Sequence, residues 1–283
     1  MPSMTPTTSS ANEQPMLSSV KATQNMSIAE RMLVAPEKQV KLSIVIPCYN
    51  EENRLEPKMS ESIAALSGML REPFEIILVD DGSTDATFEI LKGIERKFPA
   101  LAITAIRYTP NRGKGRAVKV GVLASRGAKV IIMDADFSID LAETPRFLEA
   151  LDSVPAVIGT KKHLLTQTVK PQSAPRRFLG KGFTKLTNLL LGLHFTDITC
   201  GLKAFRGDAG RDIFGRQRIN RWSYDSETLF LARRLKYEVV EIPVKWHHEE
   251  ESKVKTAGAM VSSFRELLAI RLYAWRGKYG KKA

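Results

Sequence analysis

A chain of 283 residues, 43% of them hydrophobic, can bury a full-sized core without covalent staples, so one large domain, alone or with an appendage, is expected. Its only cysteines, Cys48 and Cys200, are too few for a disulfide framework or a zinc cluster and point to a reducing compartment. The net charge of +12 is polarised, since residues 252–283 hold eight Lys and Arg against Glu266 alone. A basic end suits nucleic acid, anionic lipid or phosphorylated substrates, and charge alone does not choose among them.

Residues 1–40 are rich in Ser, Thr, Gln, Pro and Met and lack the apolar stretch of a signal peptide, so they read as a mostly disordered tail. Residues 42–46 form a β-branched run ending at Pro47, and residues 75–79 a second ending at Asp80 and Asp81; both read as buried strands. Helical spacing over 59–70 lies between them. Ser83, Thr84 or Asp85 caps a further helix with Phe88, Leu91, Ile94 and Phe98 on one face. A strand at 102–106, a helix at 116–124 and a strand at 129–133 follow, the last leading into Asp134-Ala135-Asp136. This alternation predicts an α/β domain over 41–250 with a central, mostly parallel sheet flanked by helices. Ligands of such sheets collect at the carboxyl ends of the strands, where Pro47, Asp80 and Asp134 all fall.

Beyond Pro155 the pattern loosens into a strand at 156–159, a basic stretch at 160–182 too long for a simple connector, helices at 183–193 and 225–235, and a strand at 238–244. Residues 251–283 form a basic C-terminal helix region. There Met260, Val261, Phe264, Leu267, Leu268, Leu272 and Trp275 share one helical face, and Arg271 intrudes on it. Such a helix suits a membrane interface or a place on the core. No run of about 18 uncharged apolar residues occurs, so no spanning helix is expected and any membrane contact is peripheral.

Four segments carry chemistry. Asp134 and Asp136 stand one residue apart at a strand end, where a turn aims both carboxylates at one point, as a hard cation such as Mg²⁺ or Mn²⁺ requires; substrate phosphates and waters fill its remaining positions. The segment Pro47-Cys48-Tyr49-Asn50-Glu51 stands where a dinucleotide fold needs glycines, which argues against NAD or FAD. Asp80-Asp81-Gly82-Ser83 serves equally as a helix cap and as an acceptor for a base or sugar hydroxyl. Asn111-Arg112-Gly113-Lys114-Gly115-Arg116 opens a helix with cations and glycines that face a diphosphate or only solvent. His247 and His248 point to opposite faces if extended, so at most one joins any single site.

Taken together, PCYNEENR at 47–54, VDDGSTD at 79–85, NRGKGRA at 111–117 and DAD at 134–136 resemble the family-2 glycosyltransferases of the nucleotide-diphospho-sugar (GT-A) fold over roughly residues 42–250. Two later segments, DITCGLKAF at 197–205 and RWSYDSE at 221–227, resemble the polyprenyl-phosphate sugar synthases, especially the dolichyl-phosphate glucosyltransferases and their prokaryotic relatives. The resemblance implies that Pro47, Tyr49, Glu51 and Asp80 or Asp81 hold the nucleoside, that Arg112 and Lys114 lie near the phosphates, and that Asp134 and Asp136 hold the metal. It places Arg176, Arg177, Lys203 and Lys253 around an acceptor phosphate, and has Asp225 and Glu227 organise the acceptor loop. Two features depart from that pattern. The eukaryotic members carry an N-terminal membrane anchor where this chain has a polar tail, and Glu251 stands where the family often has Gly before the Ser-Lys pair.

The expected reaction is inverting transfer of a hexose, glucose before mannose, from a nucleotide-sugar donor to a polyprenyl-phosphate acceptor, at the cytoplasmic face of a membrane. An acceptor that is already an oxyanion needs no strong general base, so alignment and neutralisation of the leaving diphosphate carry the catalysis. The nearest rival is the same fold acting on a glycan or protein. A basic nucleic-acid-binding protein is disfavoured by the carboxylates converging on the crevice, so no nucleic-acid partner is expected, and a nucleotidyltransferase by the missing glycine-rich loop.

Overall fold

In the computed structural model, residues 40–162, 166, 174–246 and 256–280 are described, with the side chains of 174–178 and 256–261 left aside. The elements run β1 (Leu42–Cys48), α1 (Leu55–Met69), β2 (Phe74–Asp80), α2 (Thr87–Lys97), β3 (Ala102–Arg107), α3 (Lys114–Ala124), β4 (Lys129–Ile132), α4 (Thr144–Ser153), β5 (Ala156–Thr160), α5 (Ala174–Leu191), β6 (Lys203–Arg206), α6 (Gly207–Arg216), α7 (Tyr224–Arg234), β7 (Val239–Pro243) and α8 (Thr256–Trp275). The strands form one sheet in the order β3-β2-β1-β4-β6-β5-β7, and β6 alone runs against its neighbours.

Alternating side chains divide the interior into two cores. Ile44, Ile46, Ile76, Leu78 and Ile131 point to the face covered by Leu55, Met59, Ile63 and Leu66 of α1 and Phe147 and Leu151 of α4. Val45, Ile77, Val79, Val130 and Ile132 point to the opposite face, against Val118 and Val122 of α3, Phe214 of α6 and Leu229 and Leu231 of α7. Each central strand is therefore apolar on both sides, which is why it reads as a continuous run.

β1 does not stop at Pro47 as its composition suggests. Pro47 and Cys48 stay in register with Val79 and Asp80 of β2. A parallel strand directs alternate residues to alternate neighbours, and Val45 bonds towards β4 through Met133. Pro47, two residues on, faces the place where β4 has already ended, so its missing N–H breaks no ladder bond.

α2 likewise starts later than its capping signals suggest. Asp85 accepts hydrogen bonds from the backbone N–H (3.0 Å) and hydroxyl (2.5 Å) of Thr87. The N–H groups of Thr84 and Ala86 donate instead to Asn50 and Glu52 of the loop after β1. Three elements had no clear sequence pattern: α4, α6 and the four-residue β6.

The C-terminal helix corrects an expectation. Of the predicted face, Leu267 turns into the core beside Ile270, both fully buried, whereas Phe264, Leu268, Leu272 and Trp275 are exposed; the side chains of Met260 and Val261 lie outside the described residues. Burying Leu267 and Ile270 contributes about 2 kcal/mol each. α8 packs against α5 and α7, so its described part belongs to the main body of the fold.

Candidate active site

At the carboxyl ends of β1, β2 and β4 lies a crevice of about 510 Å³, within the range of small-molecule sites. Of the residues singled out from sequence, Pro47, Tyr49, Glu51, Asp81, Lys114, Asp134 and Asp136 line it. Asn50, Arg54, Asn111, Arg221 and Trp222 also line it, without a role assigned from sequence.

The two loops after β1 and β2 are knit together. Asn50, in the left-handed backbone region at φ 52, donates its N–H to Ser83 (2.9 Å), and the Glu51 N–H donates to Thr87 (2.7 Å). The Glu51 carboxylate is gripped by Arg54 through two donors. That fixes the loop while leaving Tyr49 exposed at the rim.

Asp80 and Asp81 divide their work. Asp80 continues β2 into the interior, where it is fully buried, pairs with Arg107 at 3.1 Å and accepts from Ser83. Asp81 turns to the other side and accepts from the Tyr108 hydroxyl (2.6 Å), the Asn111 amide (2.8 Å) and the backbone N–H groups of Arg112 (2.9 Å) and Gly113 (2.8 Å). It therefore anchors the loop that opens α3. Burial and the bond to Asp81 together push the Tyr108 phenol well up, so it stays a donor.

α3 opens with basic residues and none that is acidic, the reverse of what the helix dipole favours. The carboxylates that meet this end come from outside the helix, Asp81 on the Gly113 N–H and Asp134 on Lys114. Gly113, at φ 104, allows the turn, and a Cβ there would lie 2.7 Å from the Asn220 carbonyl oxygen. Arg112 is exposed and lies off the crevice lining, so only its backbone is tied into the site.

Lys114 reaches across to Asp134, Nζ to Oδ1, at 2.6 Å. Burial opposes charge on both groups, yet each outcome favours it. The Asp134 carboxyl is held below its ordinary value of 3.8 because Lys114, with Lys203 and Lys161 behind it, outweighs desolvation. The Lys114 ammonium is raised above 10.5 because Asp134, Asp225 and Asp136 outweigh its own burial. Asp136 accepts the Ser138 N–H at 3.0 Å, and the turn closes with Phe137 at φ 45.

Gly201 sits directly against Asp134. A Cβ there would meet Oδ2 at 2.4 Å and Cγ at 2.7 Å. Below them Lys203, 1% exposed, pairs with Asp225 at 2.6 Å and donates to the Cys200 carbonyl at 2.5 Å. Lys203 thus acts inside the wall in this structure, and Asp225 next to it adds to the field at Lys114. Both cysteine thiols are pushed up by burial, Cys200 to about 11, so neither is poised as a nucleophile.

One cation had no sequence signal beyond its place in a basic stretch. Lys161, at the end of β5, lies over the Trp246 ring at 5.5 Å. Burial lowers it, but Asp197 and then Asp134 raise it above 10.5, so it stays charged beside the crevice. Asp197 is fully buried, accepts the Lys161 N–H at 3.1 Å, and fixes the start of that segment.

The side chains of Arg176 and Arg177 lie outside the described residues, although their backbone belongs to α5. Lys253, His247 and His248 are also outside them. Among the described residues no group of three or more His, Cys, Asp or Glu side chains is arranged to hold a metal. A pair of carboxylates at a crevice wide enough for a phosphorylated ligand still fits a hard cation, which takes its other oxygens from phosphate and water.

The sequence model of glycosyl transferase family 2 matches residues 43–214. Mouse dolichyl-phosphate beta-glucosyltransferase is 33% identical over 264 residues, covering 88% of this chain and 81% of the relative. The human dolichyl-phosphate beta-glucosyltransferase is 32% identical over 263 residues with the same coverage. Among solved structures, glucosyl-3-phosphoglycerate synthase from Mycobacterium tuberculosis with uridine-diphosphate superposes with a TM-score of 0.56 at 17% identity, covering 86% of this chain and 82% of that one. The mannosyltransferase from Pyrobaculum calidifontis in complex with GDP-Man and Mn²⁺ gives 0.51 at 22% identity, covering 87% and 74%. The fold is therefore of the GT-A type, and the chain belongs to glycosyl transferase family 2 as a glycosyltransferase similar to the dolichyl-phosphate beta-glucosyltransferases.

Proposed function

We propose that this enzyme transfers glucose from UDP-glucose to a polyprenyl or dolichyl phosphate with inversion at the anomeric carbon. The observation that carries the reading is the meeting of Asp134, Asp136 and Lys114 at the mouth of α3, inside a crevice whose other wall is the Tyr49 loop. That arrangement suits a nucleoside diphosphate, with the base against Tyr49 and the phosphates at Lys114. Asp134 and Asp136 would hold a Mg²⁺ or Mn²⁺ ion, which when bound neutralises charge on the departing diphosphate. Asp81, by accepting the N–H groups of Arg112 and Gly113, fixes the turn from which Lys114 reaches the crevice.

The acceptor phosphate attacks as an oxyanion, so the site needs cations to position it and no strong base to activate it. Lys161 supplies one such cation, and Arg176, Arg177 and Lys253 are proposed as others. Lys203 supports them by holding Asp225. In a thermal-shift comparison with Mn²⁺, UDP-glucose is expected to raise the unfolding midpoint more than GDP-mannose. The reverse order would reassign the sugar to mannose, and no shift with any sugar nucleotide would remove the donor reading.

A lipid acceptor also calls for a docking face. We propose that Phe264, Leu268, Leu272 and Trp275, exposed and flanked by Arg265, Arg271 and Arg276, rest on the cytoplasmic surface of a membrane. Co-sedimentation with anionic phospholipid vesicles should fall at least roughly tenfold for the double variant Leu268→Ser, Trp275→Ser. Because both side chains are exposed, folding stability should not change; equal vesicle binding would remove this face from the reading.

A further inference from the structure

Arg221 and Trp222 stand on a loop that borders the crevice. The loop lies against the opening of α3: the Asn220 carbonyl accepts the Arg116 N–H at 3.0 Å, and the Gln217 amide donates to the Gly115 carbonyl at 2.9 Å. Gly115 is needed for this approach, since a Cβ there would lie 2.9 Å from the carbonyl oxygens of both Ile219 and Asn220. Whatever fixes this loop also fixes the mouth of α3.

The loop is fixed by the start of α7 and, through it, by the far end of the chain. Glu227, fully buried in α7, accepts the backbone N–H groups of Arg218 (3.0 Å) and Ile219 (2.7 Å) with its carboxylate. The same carboxylate accepts the Tyr279 hydroxyl at 2.5 Å. Arg218 in turn donates from its side chain to the Lys278 carbonyl at 2.9 Å, and Arg216 to the Tyr279 carbonyl at 2.9 Å. At the other end of the loop, the Ser223 N–H donates to Glu266 of α8 at 3.0 Å, and the Ser223 hydroxyl to the Ser263 carbonyl at 3.1 Å.

A buried carboxylate that bridges two loop amides and one distant hydroxyl is a costly arrangement unless each bond is kept. We infer that Tyr279, acting through Glu227, and Glu266, acting through Ser223, are positioning residues that hold the Arg221–Trp222 loop over the mouth of α3, so that the C-terminal segment sets the shape of the diphosphate end of the crevice. This rests on the donor reading for its ligand, but the clamp itself is testable without any ligand.

Tyr279→Phe removes one hydroxyl and keeps the ring packed against Phe230 and Tyr273. Tyr273→Phe is the control, since it removes a neighbouring hydroxyl outside the clamp. Hydrogen exchange over residues 217–223 should quicken roughly tenfold in Tyr279→Phe and in Glu266→Ala, and stay unchanged in the control. Calorimetric titration with UDP-glucose and Mn²⁺ should show affinity weakened by a similar, roughly tenfold factor in the two clamp variants alone. Unchanged exchange in the loop would overturn the clamp, and faster exchange with unchanged affinity would overturn its link to the site. If the wild-type protein bound no UDP-glucose, the donor reading would fail while the exchange result still decided the clamp.

Discussion

Asp136→Ala is expected to lower kcat/KM for sugar transfer by roughly a thousandfold while leaving the thermal midpoint almost unmoved. Asp136 lines the crevice and, among the described residues, serves the fold by accepting the Ser138 N–H at 3.0 Å, a bond on a partly exposed turn. Its loss removes a charge aimed at the ligand and little else. Asp136→Asn keeps an acceptor for Ser138 and loses the charge, so it should be nearly as inactive. Steady-state kinetics with Mn²⁺ and UDP-glucose, beside a titration of donor binding, would check both variants. Turnover equal to wild type in either variant would contradict a role for Asp136 in the site.

Gly201→Ala should cost roughly a hundredfold in turnover, although it adds one methyl group away from any ligand. The new Cβ would need the space of the Asp134 carboxylate, at 2.4 Å from Oδ2 and 2.7 Å from Cγ. Asp134 cannot keep both its place and its 2.6 Å bond to Lys114. Displacement of a reacting or ligand-holding group by about an ångström is enough for such a loss. The fold should tolerate it, because the clash is with a side chain at the crevice and not with the sheet. A crystal structure or a kcat measurement would check this; full activity would mean that Asp134 has freedom to spare.

Much of the site was legible in the sequence because β-branched runs end at its polar residues. The runs before Pro47, Asp80 and Asp134 became β1, β2 and β4, and parallel register brought their ends to one edge. What each aspartate does was less legible. Asp80 and Asp81 are adjacent, but strand alternation buries one, paired with Arg107 at the sheet edge, and sends the other to the α3 loop. That division depends on the end of β2, which composition does not fix.

β6 shows the limit more sharply. Lys203–Arg206 is short and carries two cations, and Lys203 is buried only because Asp225, from α7, neutralises it there. Its strand state comes from β4 and β5 on either side, so local propensity could not reveal it. In the same way the apolar residues of α8 were visible but their division was not. The face carrying Leu267 and Ile270 is chosen by the core it meets, which leaves Phe264, Leu268 and Leu272 outward.

The similarity to dolichyl-phosphate beta-glucosyltransferases spans most of the chain, and the crevice has the carboxylates and the cation that a nucleotide-sugar needs. The acceptor is the more demanding half of the proposal. Radiolabelled UDP-glucose should therefore be offered to the purified enzyme with Mn²⁺ and either a polyprenyl phosphate or the corresponding free polyprenol. Label should pass into the organic phase with the phosphate and not with the alcohol, since the site is proposed to position an oxyanion and not to deprotonate a hydroxyl. Folded, Mn²⁺-binding protein that transfers no sugar to polyprenyl phosphate from any nucleotide donor would contradict the lipid-phosphate acceptor.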